Sequence, residues 1–312
     1  VPELPEVESV RRGIQAWAQG ARVDRVRILD PRILGTTSNR LIAPEAPARL
    51  TAELTGRELA SVERRGKFMW LPLRHCSDDT ASGSAGGDAV AEPSPARALS
   101  VHLGMSGQFR VHESTDPMHR HTRAILGLER AGRERLELRF VDQRIFGHLG
   151  VDDLVDSHGA SVPRSVSHIA LDPLDPLYDP ERTARRIQAK RTGMKSALLD
   201  QTVISGIGNI YADEALFAAR VHPLAPTQTT RISRIRTVLA KAEAVMRDSL
   251  AQGGTSFDAL YVHVNGESGY FERSLQVYGR GGLPCNRCET PIVRERFMNR
   301  SSHFCPVCQR KP

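Results

Sequence analysis

The sequence predicts a multidomain α+β protein: a β-rich N-terminal half, a hinge, a helical domain and a terminal zinc-bearing β-hairpin. Three observations carry this. Strand-like runs such as "KFMWLPL" and "RLELRFV" crowd the first half, and two Cys-x2-Cys pairs sit near the end. Between them, from Pro180 onward, the apolar residues recur with helical spacing. At 312 residues with 40% hydrophobic content, the chain is long enough to bury more than one core.

Taken in order, residues 6–19 place Val7, Val10, Ile14 and Trp17 on one helical face that ends at Gly20. "RVDRVRIL", "KFMWLPL", "LSVHLGM" and "RLELRFV" then read as strands. Residues 77–97 are small, polar and rich in Gly and Pro, the composition of a flexible surface insertion. "LDPLDPLYDPE" reads as a linker stiffened by its prolines. Beyond it the helical period is clearest in Ile232, Ile235, Val238, Leu239, Ala242, Val245 and Met246. The expected boundaries are an N-terminal domain at 1–162, a hinge at 163–180, a helical domain at 181–272 and a zinc hairpin at 273–312.

In "GMKSALLDQTVISGIGNIYADEALFAA" two helices flank a turn bearing Gly206 and Gly208, with Asn209 as the expected cap of the second. Open N–H groups at that helix start offer a seat for a phosphate, with a plain packed helical hairpin as the alternative. The charge distribution favours the phosphate. The chain carries +7, and from Arg273 to the end eight basic residues stand against two acidic ones, leaving +6 of that excess in the last forty residues. Such a balance suits a polyanionic partner.

Cys285-x2-Cys288 and Cys305-x2-Cys308, with sixteen residues between the pairs, have the spacing of a structural zinc site on two knuckles. Disulfides are the competing reading. The absence of a secretory leader and the lone fifth cysteine, Cys76, argue against them. One zinc ion with all four positions filled is expected, holding a fold and doing no chemistry. No apolar run approaches membrane-spanning length, and the first twenty residues carry Glu3, Glu6 and Glu8. A soluble, intracellular protein is expected.

"PELPEVE" at the start, "RRGK" at 64–67, "HLGMSG" at 102–107, "GIGNIYADE" at 206–214, "GYF" at 269–271 and "NRSSHFCPVC" near the end together resemble the formamidopyrimidine-DNA glycosylase family. The blocks occur in family order from residue 2 to residue 308, so the resemblance spans nearly the whole chain. It implies an N-terminal β-sandwich with flanking helices, a helix-two-turn-helix domain and a four-cysteine zinc β-hairpin. It also implies a monomeric bacterial enzyme of base excision repair, cytoplasmic and nucleoid-associated, acting on double-stranded DNA that carries oxidised bases or abasic sites.

The resemblance implies a role for each matching residue. Pro2 is the nucleophile, through a secondary amine at the chain terminus, which requires removal of Val1 as a translated non-standard start. A terminal amine has an ordinary pKa near 7.7–8.0, so about a tenth or more is free base at neutral pH, unlike a lysine. Glu3 is the general acid/base, Lys67 contacts the lesion and its phosphate, and Glu6 and Glu214 are supporting carboxylates. Met105, Arg144 and Phe146 fill the void left by the extruded base. His102, Lys195, Asn209, Tyr278 and Arg300 grip phosphates. Two departures from the family pattern are Gln143 for a common proline and Ile145 for a second arginine. Two other functions remain open at this point: an endonuclease VIII-like glycosylase for oxidised pyrimidines, against which the Met105, Arg144, Phe146 trio argues, and an inactive zinc protein that binds bent DNA, against which Pro2, Glu3 and Lys67 argue.

Overall fold

The computed structural model describes all residues except 1, 38, 41–42, 76–95, 131, 133, 254–273 and 312. Val1, Cys76, most of the expected insertion, the "GYF" block and the expected boundary at 272/273 therefore lie outside the described residues. The N-terminal part runs α1 (Leu4–Ala18), β1 (Arg22–Ile28), the short pair β2 (Gly35–Thr36) and β3 (Asn39–Arg40), α2 (Ala46–Leu54), β4 (Arg57–Leu59), β5 (Glu63–Arg65) and β6 (Phe68–His75). It continues through β7 (Arg97–His102), β8 (Gln108–Glu113), β9 (Thr122–Glu129), β10 (Leu136–Val141), β11 (His148–Ser157) and β12 (Ala160–Pro163). Four helices follow, α3 (Pro180–Ala189), α4 (Met194–Leu199), α5 (Asn209–Ala218) and α6 (Ile232–Ala251), and then the hairpin β13 (Val293–Phe297) and β14 (Arg300–Phe304).

The expected sandwich is built from a single sheet curled on itself. Ten strands pair in the order β12-β11-β7-β6-β4-β1-β9-β10-β8, with β5 added alongside β6. Its two halves share one core, in which Leu99 and Val101 of β7 meet the same apolar cluster as Leu138 and Phe140 of β10. Register shifts at Val23/Arg25 and at Phe140/Val141 supply the local twist that bends such a sheet. Val7, Val10, Ile14 and Ala18 of α1 fill this core. Trp17, expected on the same face, is 43% exposed, because the 7-10-14-18 spacing keeps the seam and residue 17 falls beside it. Arg97, expected in the insertion, already opens β7 and pairs with Glu53 and Asp153.

The first turn of α1 belongs to the other domain. Leu4 is fully buried in the helical core with Ile204, Ile207 and Ile210, and its N–H donates to the Gly206 carbonyl at 3.1 Å. Two glycines make this approach possible. Gly206 has φ +88°, and a Cβ there would meet the Leu4 side chain at 2.5 Å. Gly66, at φ +58°, would drive a Cβ to 2.7 Å from Ser205. The "RRGK" turn, the N-terminus and the α4–α5 turn thus touch at one point, with no room for an added side chain.

An ion network closes the junction. Arg64 donates to Glu8 of α1 at 3.0 Å and to Asp172 of the linker at 2.8 Å, while Asp172 also takes the Gly66 N–H at 2.9 Å. The linker is accordingly fixed here, with Asp172 buried and the Ala170 N–H donating to the Gln201 carbonyl. Burial alone would raise the Glu8 carboxyl, but Arg11, Arg64 and Arg12 outweigh it and hold it at about 2. That lies below the usual value of about 4.3, so the contribution of Glu8 to stability is complete above about pH 4.3 and is lost as pH falls toward about 2. Denaturant unfolding should therefore show wild type more stable than Glu8→Gln at pH 7, with the gap narrowing between about pH 5 and pH 3. A gap constant over that interval would show that the arginines do not hold the charge.

Candidate active site and zinc centre

An open cleft of about 660 Å³ lies between the two domains. The N-terminal part contributes Glu3, Lys67, His102, Met105 and Phe146; α5, Tyr278 and the start of β14 contribute Asn209, Tyr278 and Arg300. Eight residues expected from separate stretches of sequence therefore line one cavity. Pro2 is buried immediately ahead of Glu3.

Glu3 occupies the helix start where a phosphate was expected. The helix begins at Asn209 with Gly208, not Asn209, as its cap. The Gly208 N–H donates to Glu3 Oε2 at 2.7 Å, the Ile210 N–H to Oε1 at 2.9 Å and the Tyr211 N–H to Oε2 at 3.3 Å. A carboxylate of the same chain thus takes the amides that a helix leaves open, where the helix dipole also favours negative charge. A Cβ on Gly208 would overlap the Glu3 carboxyl. Burial pushes the Glu3 carboxyl above its ordinary value, with Lys67 pulling the other way and Glu6 adding to the rise. Burial likewise lowers Lys67, against Glu3 and with Arg300, while its ammonium donates to the Ile207 carbonyl at 2.9 Å. Both groups are therefore moved toward their neutral forms, the direction in which an acid and an amine exchange protons most readily.

The supporting carboxylates act on backbone. Glu6 accepts the Glu3 N–H at 2.9 Å and the Tyr211 hydroxyl at 2.7 Å. Glu214 accepts three consecutive N–H groups, from Gln276, Val277 and Tyr278, and so sets Tyr278 at the cleft wall. Tyr278 meets His303 edge-on at 4.9 Å between ring centres. His102 accepts the Gly104 N–H and stacks on His148 with 5.1 Å between ring centres.

Lys195 departs from expectation. It is fully buried, its ammonium lies 2.6 Å from Asp213 and donates to the Ser301 carbonyl at 3.1 Å, and in this arrangement no face is open to a phosphate. A lysine removed from water needs a carboxylate partner, and Asp213 of α5 supplies it while also accepting from Ser302 and the His303 N–H. The zinc hairpin is thereby pinned to α5. Arg300 stays exposed at the mouth of the cleft.

Met105 and Phe146 are 39% and 52% exposed, and Arg144 is also exposed. Asp142, which the sequence reading did not single out, organises their two loops. Its carboxylate accepts from the Ser106 hydroxyl at 2.5 Å, the Arg144 N–H at 3.1 Å and the Gly147 N–H at 2.7 Å. Ile145, between Arg144 and Phe146, is half-buried at φ +58°, a region β-branched residues rarely adopt. Asp213, Asp172 and Tyr211 were also missed; each is locally unremarkable, and its partner lies far along the chain.

The four cysteine sulfurs lie within 4.8 Å of one another, with Cys288 3.4 Å from Cys305 and 3.5 Å from Cys308. Sulfurs on a tetrahedral zinc at about 2.3 Å stand roughly 3.8 Å apart, so the donor set fits one ion. Among the described residues no other cluster of ligating side chains is found, and no helix is long and apolar enough to cross a membrane.

A curled sheet and a helix-two-turn-helix unit with a zinc hairpin, meeting over a cleft with a buried acid, a half-buried amine and a cationic mouth, define a nucleic-acid-processing zinc protein. Family profiles make the class specific. The formamidopyrimidine-DNA glycosylase N-terminal domain matches residues 1–149, the helix-two-turn-helix domain of the same enzymes residues 169–259, and the zinc finger shared with isoleucyl-tRNA synthetase residues 282–310. The formamidopyrimidine-DNA glycosylase of Rhodococcus jostii is 51% identical over all of this chain and 97% of its own length. A Lactococcus lactis mutant enzyme bound to Fapy-dG DNA superposes with a TM-score of 0.78 at 27% identity, over 99% of this chain and 100% of its own. The wild-type Lactococcus lactis enzyme with oxidised-pyrimidine DNA gives 0.77 at 27% identity over the same shares. The chain belongs to the formamidopyrimidine-DNA glycosylase family. It is a DNA glycosylase of base excision repair with one structural zinc ion.

Because zinc held by four thiolates contributes binding energy on the order of 10 kcal/mol that is also folding energy, Cys288→Ser should release the metal and abolish DNA binding while the N-terminal domain stays folded. Zinc content, duplex affinity and circular dichroism check this. Unchanged DNA affinity in the zinc-free variant would contradict it.

Proposed function

We propose that the protein excises oxidised purines, 8-oxoguanine and formamidopyrimidines, from duplex DNA and then cleaves the strand, using Pro2 as nucleophile after loss of Val1. The observation that carries this is the meeting of Glu3 and Lys67, beside a buried Pro2, in a cleft whose far wall presents Asn209, Tyr278 and Arg300. The free Pro2 amine attacks C1′ with its lone pair as the glycosidic bond breaks toward the base, which leaves protonated. The nitrogen passes its proton to the departing base, Glu3 gives a proton to the ring oxygen, the C1′–O4′ bond breaks to open the sugar, and the nitrogen lone pair forms an iminium with C1′. Loss of a C2′ proton then expels the 3′ phosphate, and a second elimination expels the 5′ phosphate, leaving a one-nucleotide gap with phosphate at both ends.

In this reading Lys67 engages the lesion and its phosphate, and its lowered pKa suits proton transfer as well as charge. Met105, Arg144 and Phe146 enter the duplex where the base has left, and exposed apolar tips on a loop braced by Asp142 suit a wedge. Arg144 faces the orphaned cytosine. His102, Asn209, Tyr278 and Arg300 hold phosphates, whereas Lys195 acts at one remove by fixing the hairpin that carries Arg300. Glu6 and Glu214 are positioning carboxylates. The cleft is built from one chain, so a monomer on duplex DNA in the cytoplasm, at the nucleoid, is the working form. The division at 1–162, 163–180, 181–272 and 273–312 is retained as our reading of the domains.

With borohydride present, adducts should form most strongly on 8-oxoguanine opposite cytosine, poorly opposite adenine or on thymine glycol, and not on intact DNA. Mass spectrometry should find Pro2 as the N-terminus. Lys67→Ala should lower 8-oxoguanine excision far more than cleavage of a preformed abasic site. A dominant thymine glycol signal would move the protein to the endonuclease VIII-like reading, and no adduct on any lesion would leave a DNA-binding protein only.

A further inference from the structure

We infer that Tyr211 is a positioning residue for the N-terminal nucleophile, holding both carboxylates that flank it; this rests on the proline reading above. Tyr211 is fully buried in the first turn of α5. Its backbone N–H donates to Glu3 Oε2 at 3.3 Å and its hydroxyl to Glu6 Oε1 at 2.7 Å. The other Glu6 oxygen accepts the Glu3 N–H at 2.9 Å. That N–H belongs to the peptide unit directly after Pro2. Tyr211 therefore fixes Glu6, Glu6 fixes the plane of the Pro2–Glu3 peptide, and the Pro2 nitrogen is left only rotation about the single Cα–C bond that joins it to that plane.

Ser249 of α6 completes the chain. Its hydroxyl lies 2.6 Å from the Tyr211 oxygen, and since the one phenolic proton is directed at Glu6, Ser249 is the donor. The phenol is thus oriented from behind by a helix that is not part of the cleft. An isolated ring in this position could swing its hydroxyl away; one that also accepts from Ser249 is held in line with Glu6.

The arrangement also governs charge. Glu3, the cap of α1 and the neighbour of Pro2, interacts with Glu6 on α1 and with Lys67 after β5; Lys67 also feels Arg300 on β14, and the Lys195–Asp213 pair lies behind them. The two carboxylates favour an ammonium at Pro2 and the cations oppose it. A phenolic proton on Glu6 draws off part of its negative charge and so preserves free amine at neutral pH. Removing the hydroxyl concentrates that charge beside the amine, stabilises the ammonium and moves the appearance of nucleophile to higher pH.

The test uses the full chain, a duplex with a preformed abasic site opposite cytosine, and cyanoborohydride trapping under single-turnover conditions from pH 5.5 to 9. Tyr211→Phe keeps the ring and removes only the hydroxyl. Its trapping rate at pH 7 should fall about 10-fold, and the midpoint of the pH–rate curve should rise by about half a unit or more. Affinity for a duplex carrying a reduced abasic analogue should change less than about twofold. Ser249→Ala should shift the midpoint the same way by a smaller amount. If Tyr211→Phe matches wild type in rate and midpoint, the inference fails. It fails equally if the rate drops only in proportion to lost affinity or melting temperature with the midpoint fixed, because that marks a packing role. A wild-type protein that forms no adduct overturns the proline reading and this inference together, whereas normal wild-type trapping beside an unaltered variant overturns this inference alone.

Discussion

The carboxylate of Glu3 seated on the first amides of α5 is the contact on which the rest of the architecture depends. Burying a carboxylate costs several kcal/mol unless donors replace the lost water. Three N–H groups, the positive end of the helix and the Lys67 ammonium nearby supply that replacement. The same N–H groups would otherwise be unpaired beneath the domain junction. Each side thus removes a penalty that the other would carry, and because the pairing is between residues 205 or more positions apart, it joins the two domains instead of stabilising either one. Glycine at 208 and at 206 is the steric condition for it, and Leu4 in the helical core is its apolar counterpart.

Helix α5 is consequently a common reference for the N-terminal carboxylates on one side of the cleft and for Tyr278 and β14 on the other. Its amides hold Glu3, the Tyr211 hydroxyl holds Glu6, Asp213 holds β14 together with Lys195, and Glu214 holds the three amides that end at Tyr278. Glu3 from the N-terminal side and Tyr278 and β14 from the other side are thus held by the same ten-residue helix, and Lys67 donates to the Ile207 carbonyl just ahead of it. Zinc extends this logic to Arg300, whose hairpin has a small apolar core of Phe217, Val277, Ile292 and the cysteines, with Phe297 and Phe304 buried beside it. Without the ion the cationic wall keeps only its hydrogen bonds to Asp213, Lys195 and Asn209, while the junction around Glu3 is independent of it.

What the sequence disclosed follows from how local each feature is. The zinc ligands were legible because their spacing alone implies the geometry, and α6 because its period runs for twenty residues. Lining of one cleft by Glu3, Lys67, Met105, Phe146 and Arg300 was legible only through family resemblance, since no local rule brings residue 3 to residue 300. The failures share one cause. A helix start rich in glycine announced an anion seat, but not that the anion was Glu3 of the same chain. The resemblance implied a phosphate contact for Lys195, whose partner Asp213 is visible only in three dimensions. Trp17 was misplaced by one residue of helical phase, and β8, β9, β11 and β12 were not read as strands because their burial is set by neighbours across the curled sheet. Asp142, Asp172 and Tyr211 stayed unnoticed for the same reason.

The seating of Glu3 is tested most directly by hydrogen exchange of individual amides. The first N–H groups of a helix have no acceptor within the helix and normally exchange fast. Gly208, Ile210 and Tyr211 should be strongly protected in the wild type and lose at least about tenfold of that protection in Glu3→Ala, while amides in the middle of α6 and in β9 keep theirs. Equal protection of those three amides with and without the Glu3 carboxylate would show that the junction is held by something else.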